Sequence, residues 1–108
     1  MTRISLFDEI KKGGYESCLV TTYNIHFPFY EDVLLRRMQS AGIDHHLLLV
    51  DNSMCIQAIN NHPPVKAGMH YSLAPMKSKA AFHPKILLLL GKNKGLLAVG
   101  SHNLTLSG

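Results

Sequence analysis

Apolar residues fall in short runs separated by glycine- and proline-marked breaks. Ser17–Tyr23 (SCLVTTY) is rich in β-branched and aromatic residues and predicts a strand, and Ile43–Val50 predicts a second. Between them Pro28 suits a first helical turn. Tyr30, Val33, Leu34, Arg37, Met38 and Ala41 then share one helical face before Gly42. Arg37 interrupts that stripe but can lay its aliphatic stem along it. Strand, amphipathic helix, strand is a βαβ unit, which makes the two strands parallel. Ser5–Lys12 predicts a short helix capped by Ser5 and ended by Gly13-Gly14. Met54–Asn60 fits neither period, His62-Pro63-Pro64 is a turn or linker, and Met69–Ala74 predicts a third strand before a basic loop, Pro75–Ala80.

The last third is the most regular part. Ile86–Leu90 and Leu96–Gly100 predict two strands joined by a five-residue turn, Gly91–Gly95, hence a β-hairpin. Centring the turn on Asn93 pairs Ile86 with Gly100, Lys85 with Ser101 and His83 with Asn103. Because side chains alternate along a strand, those four polar groups would share one face, with Pro84 and His102 on the other. His83 and Lys85 would stand about 7 Å apart, a separation that can flank one phosphate. The set is an imidazole, an ammonium, a hydroxyl and a carboxamide. Lysine, asparagine and serine can donate to anionic oxygens, and a neutral imidazole can attack phosphorus. The expected architecture is a single α/β domain over residues 1–108, a mixed sheet flanked by helices and ending in this hairpin.

Charge sharpens that picture. All seven acidic residues lie in the first 51 positions, whereas residues 52–108 hold Lys66, Lys77, Lys79, Lys85, Lys92 and Lys94 and no acid. Such a stretch fits an anionic ligand, and equally a solvated lysine face. The first residues, MTRISLFDEIKKGG, mix acids and lysines and are not expected to be a signal peptide, and no apolar run is long enough to span a bilayer. Cys18 and Cys55 lack ligand spacing and are expected to be two buried thiols of a reducing, cytoplasmic setting. The seven histidines show no metal-binding motif; His45 and His46 should point apart, and His26, His62 and His70 have no ligand-like spacing. The Gly91–Gly95 turn is followed by a strand and not a helix, which excludes a nucleotide-binding phosphate loop. No acid near Ser101 completes a serine triad.

The pattern His83-x-Lys85, an apolar strand, then Gly100-Ser101-x-Asn103 resembles the phospholipase D superfamily signature, HxK followed by GSxN. The segment TTYNIHFPFYEDVLL is similar to the amino-terminal part of bacterial phospholipase D-like nucleases, which are often found with helicases or defence systems. The chain departs from the pattern in two ways. An Asp often stands five residues after the Lys, where this chain has Leu90, although the tyrosyl-DNA phosphodiesterases of the superfamily lack it too. The interval from Leu90 to Gly100 is also longer than usual.

The resemblance implies a phospholipase D-like half-domain, the amino-terminal portion of a longer protein, that hydrolyses phosphodiesters without metal or other cofactor. His83 would attack phosphorus and form a phosphohistidine. A second histidine would protonate the leaving oxygen and then activate water. Lys85 and Asn103 would hold the nonbridging oxygens, with Ser101 supporting as a substrate-binding group. The family uses two such motifs and this chain has one, so a homodimer or a second half-domain is expected. Nucleic acid, DNA above all, is the expected substrate, in bacterial antiviral defence or DNA processing, with a helicase or ATPase as partner and no membrane. The competing expectation is a catalytically silent nucleic-acid-binding or assembly module that keeps the fold, since phosphate contacts alone sustain nonspecific binding.

Overall fold

The computed structural model describes residues 6–77 and 85–99. α1 spans Leu6–Lys12, and Gly13 and Gly14 leave it at positive φ, where glycine carries no steric penalty. The expected cap, Ser5, lies outside the described residues. β1 covers Ser17–Thr22. One helical stretch follows in three parts: α2 at Phe27–Phe29, a π-helical segment at Tyr30–Leu35, and α3 at Arg36–Ser40. His26 caps it, its Nδ1 accepting from the Phe29 N–H at 3.2 Å. Pro28 sits in the first turn, where a missing N–H leaves no bond unmade. Tyr30, Leu34 and Met38 of the expected stripe are buried, and the wider π turn adds Leu35 and Glu31 to the buried side.

β2 spans His45–Asp51 and runs parallel to β1, from Ser17↔His45 to Thr22↔Val50, so the expected βαβ unit is present. The ambiguous segment after it is a helix, α4, at Asn52–Asn61. Asp51 starts it: the carboxylate accepts from the Met54 N–H at 3.2 Å and from the Ser53 hydroxyl at 2.7 Å. β3 covers Ser72–Met76, parallel to β2, and starts three residues later than expected. It includes Pro75, which an edge strand accommodates because that position can do without a donor. β4 (Ile86–Leu90) and β5 (Gly95–Val99) form the expected antiparallel hairpin, and β4 pairs antiparallel with β1. The sheet order is β3-β2-β1-β4-β5.

The hairpin register differs from the expected one. Ile86 faces Val99 and not Gly100, and Leu90 faces Gly95, so the turn has four residues, Gly91 to Lys94. Contacts outside the hairpin fix it. A Cβ on Gly91 would collide with the Gly14 carbonyl oxygen, and the Lys94 ammonium lies 4.3 Å from the centre of the Tyr15 ring. The Gly91 N–H donates to the Lys94 carbonyl at 2.9 Å, and the Glu16 N–H donates to the Leu90 carbonyl at 2.7 Å. With both ends of the turn held against residues 14–16, the loop closes one residue tighter than the glycine spacing implies. A one-residue shift exchanges the faces on which a strand's residues lie.

Burial alternates along β1, β2 and β4. Cys18, Val20, Thr22, His46, Leu48, Val50, Leu87 and Leu89 lie on the buried side, in one core with Phe27, Tyr30, Leu34, Leu35 and Met38. Glu31 is inside this core at 4% exposure. Its carboxylate accepts from the Val65 and Lys66 N–H groups and, at 2.9 Å, from the Tyr71 hydroxyl. It therefore ties the α4–β3 connection to the π-helical segment, a charge-assisted clamp that satisfies an otherwise costly buried carboxylate. On the other side of the sheet Leu47, Leu90, Leu97 and Val99 are exposed.

Candidate active-site edge of the sheet

The parallel strands β1, β2 and β3 all end on the edge where β4 begins. In α/β sheets the crevice beyond the carboxyl ends of parallel strands is where ligands bind, because the chain must leave the sheet there in loops. Thr22, Asn24 and His26 come from the end of β1, and Asp51 and Ser53 from the end of β2. Lys77 follows β3, and Lys85 precedes Ile86 at the start of β4.

Lys85 is half-buried and stands one residue before the Thr21↔Ile86 pair, level with Thr22. Alternation puts it on the same face as Leu87 and Leu89, the helix-covered side. The Thr21 hydroxyl oxygen accepts from the Ile86 N–H at 3.0 Å and secures this end of β4 to β1. The Thr22 hydroxyl donates to the Asn24 carbonyl at 2.7 Å, and the Ile25 N–H donates to Asn24 Oδ1 at 2.8 Å. These two bonds shape the turn from β1 toward the helix. The Asp51 carboxylate, 5% exposed, is engaged in capping α4.

Of the four site residues expected from sequence, Lys85 falls among the described residues. His83, Ser101 and Asn103 lie outside them. The observed ladder pairs Ile86 with Val99, so the expected pairing of Lys85 with Ser101 and His83 with Asn103 does not follow from it. Those assignments rest on the sequence motif. The described lysines of the acid-free stretch also do not share one surface. Lys77 and Lys85 stand at the site edge, Lys92 and Lys94 at the opposite end of the hairpin, and Lys66 in the α4–β3 connection.

Neither thiol is a nucleophile. Cys18 and Cys55 are free and buried, and burial pushes the Cys18 thiol up to about 12 and raises that of Cys55. Burial, assisted by the neighbouring Glu31 carboxylate, also raises the Tyr71 hydroxyl. His46 is held below its ordinary value by burial, partly offset by its bond to the Ile43 carbonyl at 2.6 Å. His45 faces outward, so the adjacent histidines do point apart. Among the described residues no group of His, Cys, Asp or Glu side chains has the arrangement of a metal site, and no helix is long and apolar enough to cross a membrane.

Sequence reasoning missed Asn24 and Asp51 as edge residues. Asp51-Asn52-Ser53-Met54 carries a helix-start signal, a capping acid three residues before its N–H partner, that the preceding apolar strand obscured.

No family model matches the chain, and no curated sequence matches it. Among solved structures, the chain is similar to a variant of yeast tyrosyl-DNA phosphodiesterase, with a TM-score of 0.64 at 14% identity. The match covers 94% of this chain and 24% of that one, so the chain spans about a quarter of that enzyme's length. At that identity the likeness is one of fold: a mixed five-stranded sheet flanked by helices, shared with part of that enzyme.

Proposed function

We propose that the chain is a metal-independent phosphodiesterase acting on DNA, with His83 as nucleophile and Lys85, Asn103 and Ser101 as the groups that hold the phosphate. The observation that carries this reading is the position of Lys85. The HxK lysine stands where β4 leaves the edge toward which all three parallel strands run, in a fold shared with a DNA phosphodiesterase. The reaction has two balanced steps. His83 attacks phosphorus while the bond to the leaving oxygen breaks, and a second histidine gives that oxygen its proton. Water then attacks phosphorus, returns a proton to the second histidine and breaks the phosphorus–nitrogen bond. The ammonium of Lys85 stabilises charge on the nonbridging oxygens in both steps.

A single HxK pattern in the sequence supplies one nucleophile, so the second histidine comes from another copy or from a further half-domain. DNA processing, with bacterial defence and a helicase or ATPase partner as its setting, belongs to the proposal through the similarity of the TTYNIHFPFYEDVLL segment. The silent-module reading draws on Leu90 standing where an Asp is common. Leu90 is at the far end of β4, paired with Ser17 and Gly95 and roughly 16 Å along the strand from Lys85. A carboxylate there would not reach the phosphate, so its absence does not weigh against chemistry at the edge.

The test is a rapid denaturing quench of the chain with DNA carrying a label that stays on the attacked phosphate. Label retained on the protein, acid-labile and lost in His83→Ala, is the expected result. Salt-dependent DNA retention with no labelled protein and no product overturns the enzyme reading in favour of a binding module.

A further inference from the structure

Helix α4 buries small residues and leaves its isoleucines at the surface. Ile56 and Ile59 are exposed, at 52% and 36%. The stripe Met54, Gln57, Ala58, Asn61, spaced as one helical face, instead lines a cavity of about 390 Å³ facing the β1–α2 turn. A helix docked for packing alone would turn its isoleucines inward. Here Cys55 and Ala58 hold the buried positions, and the carboxamides of Gln57 and Asn61 stand exposed along the cavity.

The opposite wall is Asn24, Ile25, His26 and Phe27, and His62 closes the far end. Ile25, Phe27 and Ala58 make a buried apolar floor. The His26 and His62 rings lie 5.1 Å apart at 57°, a pair of flat, polarisable surfaces. His26 Nδ1 accepts from the Phe29 N–H, which leaves Nε2 as the nitrogen on the other side of the ring for a ligand. Among the described residues no charged side chain lines the cavity. Its volume is within the about 300–1,000 Å³ typical of small-ligand sites.

An apolar floor, carboxamides that both donate and accept, and stackable imidazoles together suit a planar heterocycle with hydrogen-bonding edges. A lysine-rich groove would suit a phosphate instead, and this is not one. Asn24 lies two residues beyond Thr22, which is level with Lys85, so the cavity and Lys85 both stand at the carboxyl end of β1.

We propose that this cavity holds one unstacked nucleobase of the substrate, adjacent to the phosphodiester at the Lys85 edge. The inference rests on the proposed DNA substrate and deepens it. A base can enter only from a single strand, a frayed end or a flipped nucleotide. Gln57 and Asn61 read its edge, and His62 stacks on it. Paired duplex is a poor ligand for this site.

The full chain is titrated with the four deoxynucleoside 5′-monophosphates and with deoxyribose 5-phosphate, following the histidine ring resonances by NMR. The expected result is that nucleotides move the His26 and His62 signals, while the baseless sugar phosphate leaves them in place. Gln57→Ala and Asn61→Ala, both at exposed positions, each weaken nucleotide binding about tenfold with thermal stability unchanged. Equal shifts from deoxyribose 5-phosphate, or unchanged affinity in both variants, overturn the proposal. The two readings fail separately. Nucleotide-induced shifts without DNA cleavage leave the base pocket standing and remove the nuclease. Cleavage that proceeds with no ring shift in His26 or His62 removes the pocket and leaves the nuclease.

Discussion

The two ends of β4 are built on opposite principles. At Leu90–Gly91 the chain is locked: a glycine packs so tightly on the Gly14 carbonyl that no side chain fits, Lys94 lies on Tyr15, and Leu90 is bonded to Glu16. At Lys85 and Ile86 the strand is fastened through the Thr21 hydroxyl and opens onto polar groups from three strand ends. One end sets the register of the hairpin, and the other is where the proposed chemistry would stand. A tight, apolar end can hold a reactive end in place without contributing any reactive group.

Substitutions at the two ends should therefore separate activity from stability. Lys85→Ala is expected to reduce phosphodiester cleavage by about 10²–10³-fold, the scale of losing one transition-state donor, with the thermal midpoint little changed. A loss of fold matching the loss of rate would assign Lys85 to packing. Gly91→Ala should do the reverse. Its Cβ meets backbone, which cannot move aside as a side chain can, so denaturant melts should show about 2–3 kcal/mol of lost stability. Activity measured well below the unfolding transition should survive in part. A neutral outcome would mean that the turn is not held against Gly14.

Smaller effects test the clamp between helix and connection. Glu31→Gln places an amide donor where the Val65, Lys66 and Tyr71 groups already donate, and should cost about 1–3 kcal/mol by chemical denaturation. His46 adds a pH dependence. Burial holds its folded-state value below the ordinary 6.5, so the unfolded chain binds the proton more readily. Its contribution is fully present above 6.5 and is lost as pH falls below that toward the lowered value. Stability measured from pH 7.5 to 5.5 should fall, and His46→Gln should flatten that slope. The smallest change is Lys94→Ala, which removes the ammonium from Tyr15 and should cost about 0.5–1 kcal/mol.

Most of the fold was legible because periodicity reports burial. β1 and β2 alternate against the helix side, and the stripe through Tyr30, Leu34 and Met38 marks the crossover. Two features were not legible, each for a local reason. Helix α4 follows its strand with no break and buries the small Cys55 and Ala58 while leaving Ile56 and Ile59 exposed, so its apolar pattern misreports its orientation. The hairpin register depends on Gly91 meeting Gly14, a contact between residues far apart in sequence that turn length cannot reveal. The edge strand β3 was placed early because Pro75 reads as a breaker, although an unpaired side tolerates it. For the candidate site, Lys85 precedes β4 at the edge where the parallel strands end, while His83, Ser101 and Asn103 lie outside the described residues and rest on the motif alone.

The central claim is that His83 performs phosphodiester chemistry without metal at the Lys85 edge. Its most direct test is cleavage of labelled single-stranded DNA in excess EDTA, comparing the unaltered chain with His83→Ala. The account predicts undiminished cleavage with EDTA, and at least a 10³-fold loss in the variant with DNA retention preserved. Equal cleavage by His83→Ala, or activity that vanishes on chelation, would contradict it.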